Sequence, residues 1–122
     1  MDAEELKQRT KIFGLKIIRL VENLPSTKTT RVIGNQLIRS GTSVGANYRA
    51  ACRGRSKAEF IAKMGIVIEE ADESMYWMEM LIEAGIVPEN QLSDLLSEAN
   101  ELVAIFTASA KTARSSLPKK RG

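Results

Sequence analysis

One feature restricts the possible folds more than any other. An apolar period of about 3.6 residues runs through nearly the whole chain and is interrupted only at short breaker segments. Leu6, Thr10, Phe13, Ile17, Leu20, Val21 and Leu24 form the first stripe. Asp2 stands before it with Glu5 three residues on, a capping pattern, and Pro25 ends it. Residues 26–29 read as a turn. The second stripe, Ile33, Leu37, Val44, Tyr48 and Ala51, predicts a helix from about Thr30 to Arg53 with Gly54 as its stop. Ser56-Lys57-Ala58-Glu59 is a further capping pattern. It opens a third helix carrying Phe60, Met64, Val67, Ile68, Ala71, Met75, Met78, Leu81 and Ile82, which runs to about Ala84 and stops at Gly85. Pro88 suits the first turn of a fourth helix, with Leu92, Leu95, Leu96, Ala99, Leu102, Val103, Phe106 and Ala110 along one side and an end near Ser115.

Helices of this length joined by short links pack against their sequence neighbours in antiparallel fashion. The predicted architecture is therefore all-α: an antiparallel up-down-up-down four-helix bundle over residues 1–115, with residues 116–122 as a short basic C-terminal tail. A chain of 122 residues supports one real core. Aromatics at 5% disfavour a β-sandwich and suit Leu/Ile/Ala packing.

Composition also removes function classes. There is no histidine, which takes away the commonest general base near neutral pH and the commonest metal ligand. Ser–His and Cys–His catalysis, most zinc sites and the Glu-x-x-His di-iron bundle site go with it. No enzyme activity, metal or cofactor is expected. The single cysteine, Cys52, has no internal disulfide partner, and MDAEELKQR lacks the apolar core of a signal peptide. No apolar run reaches the ~20 residues of a membrane span. The expectation is a cytoplasmic protein with no membrane association.

The net charge of +3 conceals strong segregation. Residues 1–63 hold thirteen Lys/Arg and five Asp/Glu, residues 64–110 hold ten Asp/Glu and no Lys/Arg, and residues 111–122 hold five Lys/Arg. Either basic and acidic helices pack side by side, or the molecule or its oligomer has one basic and one acidic face.

The second helix contains the most unusual segment, QLIRSGTSVGANYRAACRGR from Gln36 to Arg55. Its middle is filled with Ser40, Gly41, Thr42, Ser43, Gly45 and Ala46. Gly and Thr are poor helix formers, so a helix that keeps them points to close approach of another backbone. Arg39, Arg49, Arg53 and Arg55 flank the small residues, which suggests an assembly surface, a nucleic-acid surface or both. Asn47 in this setting reads as a buried amide that sets register. Cys52 reads as a small packing residue.

In the acidic run Glu69-Glu70-Ala71-Asp72-Glu73, a metal site lacks ligands, and interhelical ion pairing is the simpler reading. Folding back at Gly54 sets Arg39 opposite Asp72 and Glu73. Tyr76 and Trp77 point about 100° apart on a helix. One therefore faces the core while the other lies at an edge, against another chain or a ligand. The partner signal lies in the cations. Lys7 and Lys11 on the first helix, and Arg49, Arg53, Arg55 and Lys57 around the second turn, are candidate phosphate contacts for RNA. No RNA-recognition motif, KH loop or helix-turn-helix signature accompanies them.

Three of these segments together resemble a known family. They are Gln36 to Arg49, Arg53-x-Arg55-Ser56-Lys57-x-Glu59-Phe60, and Glu69-Glu70-Ala71-Asp72-Glu73-x-x-Tyr76-Trp77. The resemblance is to the four-helix-bundle proteins encoded in intervening sequences of bacterial 23S rRNA genes. The wider family usually has an acidic residue and a glycine shortly after the asparagine, where this chain has Ala50 and Ala51. The resemblance implies an up-down bundle that forms homo-oligomers, with a ring-shaped pentamer as the expected form. Gly41 and Gly45 would then serve tight helix contacts. A related branch acts as accessory protein to reverse transcriptases of diversity-generating retroelements, so a protein-binding scaffold is the alternative to RNA binding. No catalytic residues come with the family.

Overall fold

Three polar side chains turn the backbone into helices at the points where the apolar period restarts. Asp2 Oδ1 accepts from the Glu5 amide at 2.8 Å, Thr27 Oγ1 from the Thr30 amide at 3.1 Å, and Ser56 Oγ from the Glu59 amide at 3.1 Å. Each satisfies a first-turn amide that has no partner within the helix. The resulting elements, in a computed structural model that describes residues 1–118, are α1 (Ala3–Glu22), α2 (Lys28–Cys52), α3 (Lys57–Glu83) and α4 (Glu89–Ser115). The all-α, four-helix expectation holds. Residues 119–122 of the expected tail lie outside the described residues.

Two boundaries differ from the sequence reading. α2 starts at Lys28 because Thr27 and Thr30 cap each other reciprocally. The Thr27 amide donates to Thr30 Oγ1 at 3.1 Å, so the segment read as turn already contains the helix start. Gly54 follows the α2 C-cap, Arg53, but does not adopt a left-handed conformation. Gly85 is the one positive-φ residue among those described, with φ 72°. There the Gly85 amide bonds the Ile82 carbonyl at 2.9 Å and the Ile86 amide bonds the Leu81 carbonyl at 3.0 Å, a Schellman closure of α3.

α1 and α2 approach closely. A Cβ placed on Gly41 would lie 2.9 Å from both Cγ1 and Cγ2 of Ile17, one on Gly34 2.9 Å from Val21, and one on Gly45 3.2 Å from Thr10. Val21, Ile17 and Thr10 thus meet Gly34, Gly41 and Gly45 in reverse order, which makes the pair antiparallel. The expectation of tight helix contacts at Gly41 and Gly45 is met within the chain itself.

α2 and α3 are keyed by a polar contact inside the core. Ser40 and Ser74 are fully buried. Ser74 Oγ donates to Ser40 Oγ at 3.0 Å, and Ser40 Oγ donates to the Leu37 carbonyl at 3.3 Å. Around this pair Phe13, Ile17, Leu37, Met64, Met78, Leu102 and Phe106 are completely enclosed. α3 packs along both α2 and α4, whereas α1 touches α4 over little of its length. No described helix is long and apolar enough to cross a membrane.

Glycine position separates two outcomes. Gly41→Ala forces the branch point of a fully buried isoleucine aside, an overpacking cost of about 1–3 kcal/mol that exceeds the helix gain of about 1 kcal/mol. Gly65, in the middle of α3, has nothing within 4 Å of a built Cβ. Gly65→Ala should therefore raise stability by about 0.5–1 kcal/mol. Urea unfolding of both variants checks the pair, and a destabilised Gly65→Ala would contradict it.

Candidate functional site

The α1/α2 register places four of the predicted phosphate contacts around one opening. With Thr10 seated at Gly45, Lys7 and Lys11 stand on one side, and Arg49 and Arg53 on the other. They line an open groove of about 510 Å³ whose floor is made by Gly14, Gly45, Ala46 and Thr42, with Leu15 and Ile18 along the α1 wall. Small floor residues keep the groove deep enough for a ligand to approach the helix backbones. Lys7 is paired with Glu4 at 3.0 Å across one helical turn, an exposed contact of little energetic weight. Lys11, Arg49 and Arg53 have no ion pair among the described residues.

A second hollow of about 280 Å³ opens at the α2–α3 turn. It holds Arg53, Arg55 and Lys63 over Ala50, Ala62 and Ile66, with Glu59 as its one carboxylate. Arg53 lines both openings. Arg55 belongs only to the smaller one, and Lys57 lines neither. Sequence reading did not single out Lys63. Its only signal was four-residue and three-residue spacing from Glu59 and Phe60, which marks a helix face and nothing more. Glu59 does not complete a capping box with Ser56. Its carboxylate accepts from the Arg55 amide at 2.6 Å and so holds the backbone that carries Arg55.

The residues assigned to structure are placed with two corrections. Arg39 pairs with Glu70 at 3.1 Å and with Glu73, not with Asp72, which is exposed and points away from α2. Residues 70 and 73 lie one turn apart on the side facing α2, while residue 72 is rotated past it. Asn47 is half-buried, and its Nδ2 donates to the Ser43 carbonyl of its own helix at 2.9 Å, so it does not key the helix pair. The buried register contact is Ser40–Ser74, which sequence reading did not identify because serines in a small-residue run carry no pairing signal. Trp77 is the inward member of the aromatic pair and donates Nε1 to Glu73 at 3.1 Å. Tyr76 is 51% exposed and meets the Trp77 ring edge-on at 5.1 Å.

Arg9 is the largest omission. Its guanidinium makes a fork to Glu98, 2.8 Å from Nε and 2.7 Å from Nη2, and reaches Glu101 at 2.9 Å. It joins α1 to α4, the packed pair of helices in least contact. Nothing local in the sequence links positions 89 residues apart. These hydrogen bonds raise the guanidinium above its ordinary value and hold the Glu98 carboxyl below the usual carboxylate range. Burial raises the Tyr48 phenol, with Cys52 as the next cause. Among the described residues, no group of three or more His, Cys, Asp or Glu is placed to hold a metal ion.

Comparison with known proteins agrees with the fold. The family model described as 23S rRNA-intervening sequence protein matches residues 4–108. A crystal structure at 1.70 Å of a protein of unknown function from the S23 ribosomal protein family, from Bacteroides thetaiotaomicron, shares 32% identity with the chain. The match covers 91% of this chain and 99% of that one, with a TM-score of 0.84. No curated protein is significantly similar.

Because Arg9 depresses the folded-state value of Glu98, their contribution is complete above the ordinary glutamate value of 4.5 and is lost as pH falls through the lower folded-state value. Arg9→Met should lose about 1 kcal/mol near neutral pH. Its urea midpoint should also fall less steeply than wild type between about pH 5 and 3. Parallel acid profiles for the two proteins would remove this role.

Proposed function

Because the chain belongs to the 23S rRNA-intervening sequence protein family, we propose that it is a non-enzymatic, cytoplasmic, self-assembling bundle that binds structured RNA through the groove between α1 and α2. The observation that carries this reading is the meeting of Lys7, Lys11, Arg49 and Arg53 around one open groove, three of them without a carboxylate partner among the described residues. Cations on two facing walls engage a phosphate backbone without reading its sequence. Arg53 leads from this groove into the hollow that holds Arg55, so a single strand can follow one continuous cationic path. Lys57, exposed at the start of α3, adds to the same end of the molecule.

Self-assembly strengthens the reading. A ring of identical copies, with a pentamer as the form implied by the family resemblance, repeats a weak site at fixed spacing. Simultaneous engagement then raises avidity without any new contact.

Crosslinking and sequencing of RNA bound to the tagged protein, normalised to total RNA, tests the proposal directly. Enrichment of one transcript or rRNA region supports it. A profile matching input moves the function to a protein-binding scaffold. In vitro, Arg49→Glu/Arg53→Glu should lower affinity at least tenfold at moderate salt, and should flatten the log-affinity against log-salt slope by about 2, roughly one per lost phosphate contact, with helicity unchanged. An unchanged slope would exclude the groove as the contact surface.

A further inference from the structure

The cationic path between α1 and α2 comes to an end on α3. Arg53 lines both openings, and beyond it the hollow of about 280 Å³ adds Arg55 and Lys63. On the far side Ala62, Ile66 and Glu69 succeed one another along α3 at four-residue and three-residue spacing. Glu69 is exposed and has no ion pair among the described residues, and no Lys or Arg follows Lys63 in the chain until Lys111. A phosphate backbone that enters the hollow from the groove therefore meets repulsion if it continues along α3.

The hollow is also formed in advance. The Arg53 amide bonds the Ala50 carbonyl at 3.1 Å, the Gly54 amide bonds the Ala51 carbonyl at 3.0 Å, and the Arg55 amide donates to the Glu59 carboxylate at 2.6 Å. A Cβ on Gly54 would lie 3.4 Å from the Phe60 amide nitrogen, so the turn sits close against the start of α3. Glu59 and Lys63 have the spacing and order of a Glu–Lys pair on a helix, yet no such pair is present. Glu59, the one carboxylate of the hollow, is turned to the Arg55 amide. The Lys63 ammonium is left beside two guanidinium groups, and none of the three has an ion pair among the described residues.

An internal phosphodiester carries a single negative charge. A terminal phosphomonoester carries about −1.5 to −2 near neutral pH and presents three acceptor oxygens, which guanidinium forks match. We propose that this hollow seats the terminal phosphate of an RNA strand lying in the α1/α2 groove. Arg53 and Arg55 hold the phosphoryl oxygens, Lys63 offsets the second charge, and Ile66 and Ala62 receive the terminal sugar. The inference rests on the RNA binding proposed above and makes the protein a reader of strand ends rather than of sequence.

Competition against one internally labelled RNA on the full-length protein tests it. The competitors are a short single-stranded RNA with hydroxyls at both ends, the same RNA with a 5′-phosphate, the same with a 3′-phosphate, and a hydroxyl-ended RNA longer by one nucleotide. A phosphate at one end should tighten binding roughly tenfold, the weight of charge-assisted hydrogen bonds in a formed site. The longer RNA adds one internal phosphate and should not reproduce that gain. The end that responds gives the direction of the strand. Lys63→Gln should bring the ratio of phosphate-ended to hydroxyl-ended affinity close to one. Lys11→Gln, in the groove and outside the hollow, should weaken both forms and keep the ratio. Equal affinity for all four RNAs, a matching gain from the longer RNA, or an unchanged ratio in Lys63→Gln would overturn the end seat while leaving RNA binding in place. Failure to bind any of the four would remove the RNA reading itself, and the end seat with it.

Discussion

Ile17 rests directly on the α2 backbone at Gly41, and the geometry of the basic side of the molecule follows from that contact. No side chain larger than glycine fits there without moving a buried, branched residue whose neighbours are themselves enclosed. The contact fixes how near the helices come and how they are staggered. Stagger brings Thr10 to Gly45, and this in turn sets Lys7 and Lys11 across from Arg49 and Arg53. A wider helix spacing would fill the groove floor with side chains and separate its walls. The groove is thus a by-product of a packing requirement one helical turn away, at Gly41.

Charge is distributed so that the pairs hold the frame and the unpaired groups face outward. Arg9 uses its planar fork on Glu98, where a lysine would offer only a point charge. Arg39 bridges Glu70 and Glu73 while Glu73 also accepts from Trp77, so one carboxylate orients two side chains. The four carboxylates left over on α3 repel one another. Glu69 and Asp72, like Glu79 and Glu83, stand one turn apart on the exposed side, so each pair works slightly against the helix.

Periodic features were readable because they are local. Helix number, approximate ends, the core stripes and the expectation that one of Tyr76 and Trp77 lies at an edge all follow from spacing along one helix, and the caps at Asp2 and Ser56 from patterns of four residues. The readings that failed needed knowledge of rotation between helices. Asp72 and Glu70 are equally acidic, and only a helix phase fixed by the neighbouring α2 decides which meets Arg39. Asn47 had a partner on its own helix as well as any on another. Arg9–Glu98 and Ser40–Ser74 join distant positions that no local pattern connects. Within the candidate site, the clustering of Arg49 and Arg53 was legible. Their meeting with Lys7 and Lys11 depended on the α1/α2 stagger.

The light contact between α1 and α4 makes that seam the looser side of the bundle, since each helix packs chiefly on the one before it in sequence. Such a topology has low contact order. Each step closes a short loop before its packing is gained, so folding can proceed hairpin by hairpin on the microsecond-to-millisecond scale of helical bundles. It also grades the molecule. The central helices are clamped from two sides, while α4 is attached chiefly through α3, with the Tyr48–Phe106 ring contact at 5.2 Å and the Arg9 fork adding to it. Amide exchange in the native state should accordingly be slowest along α2 and α3 and fastest toward the far end of α4.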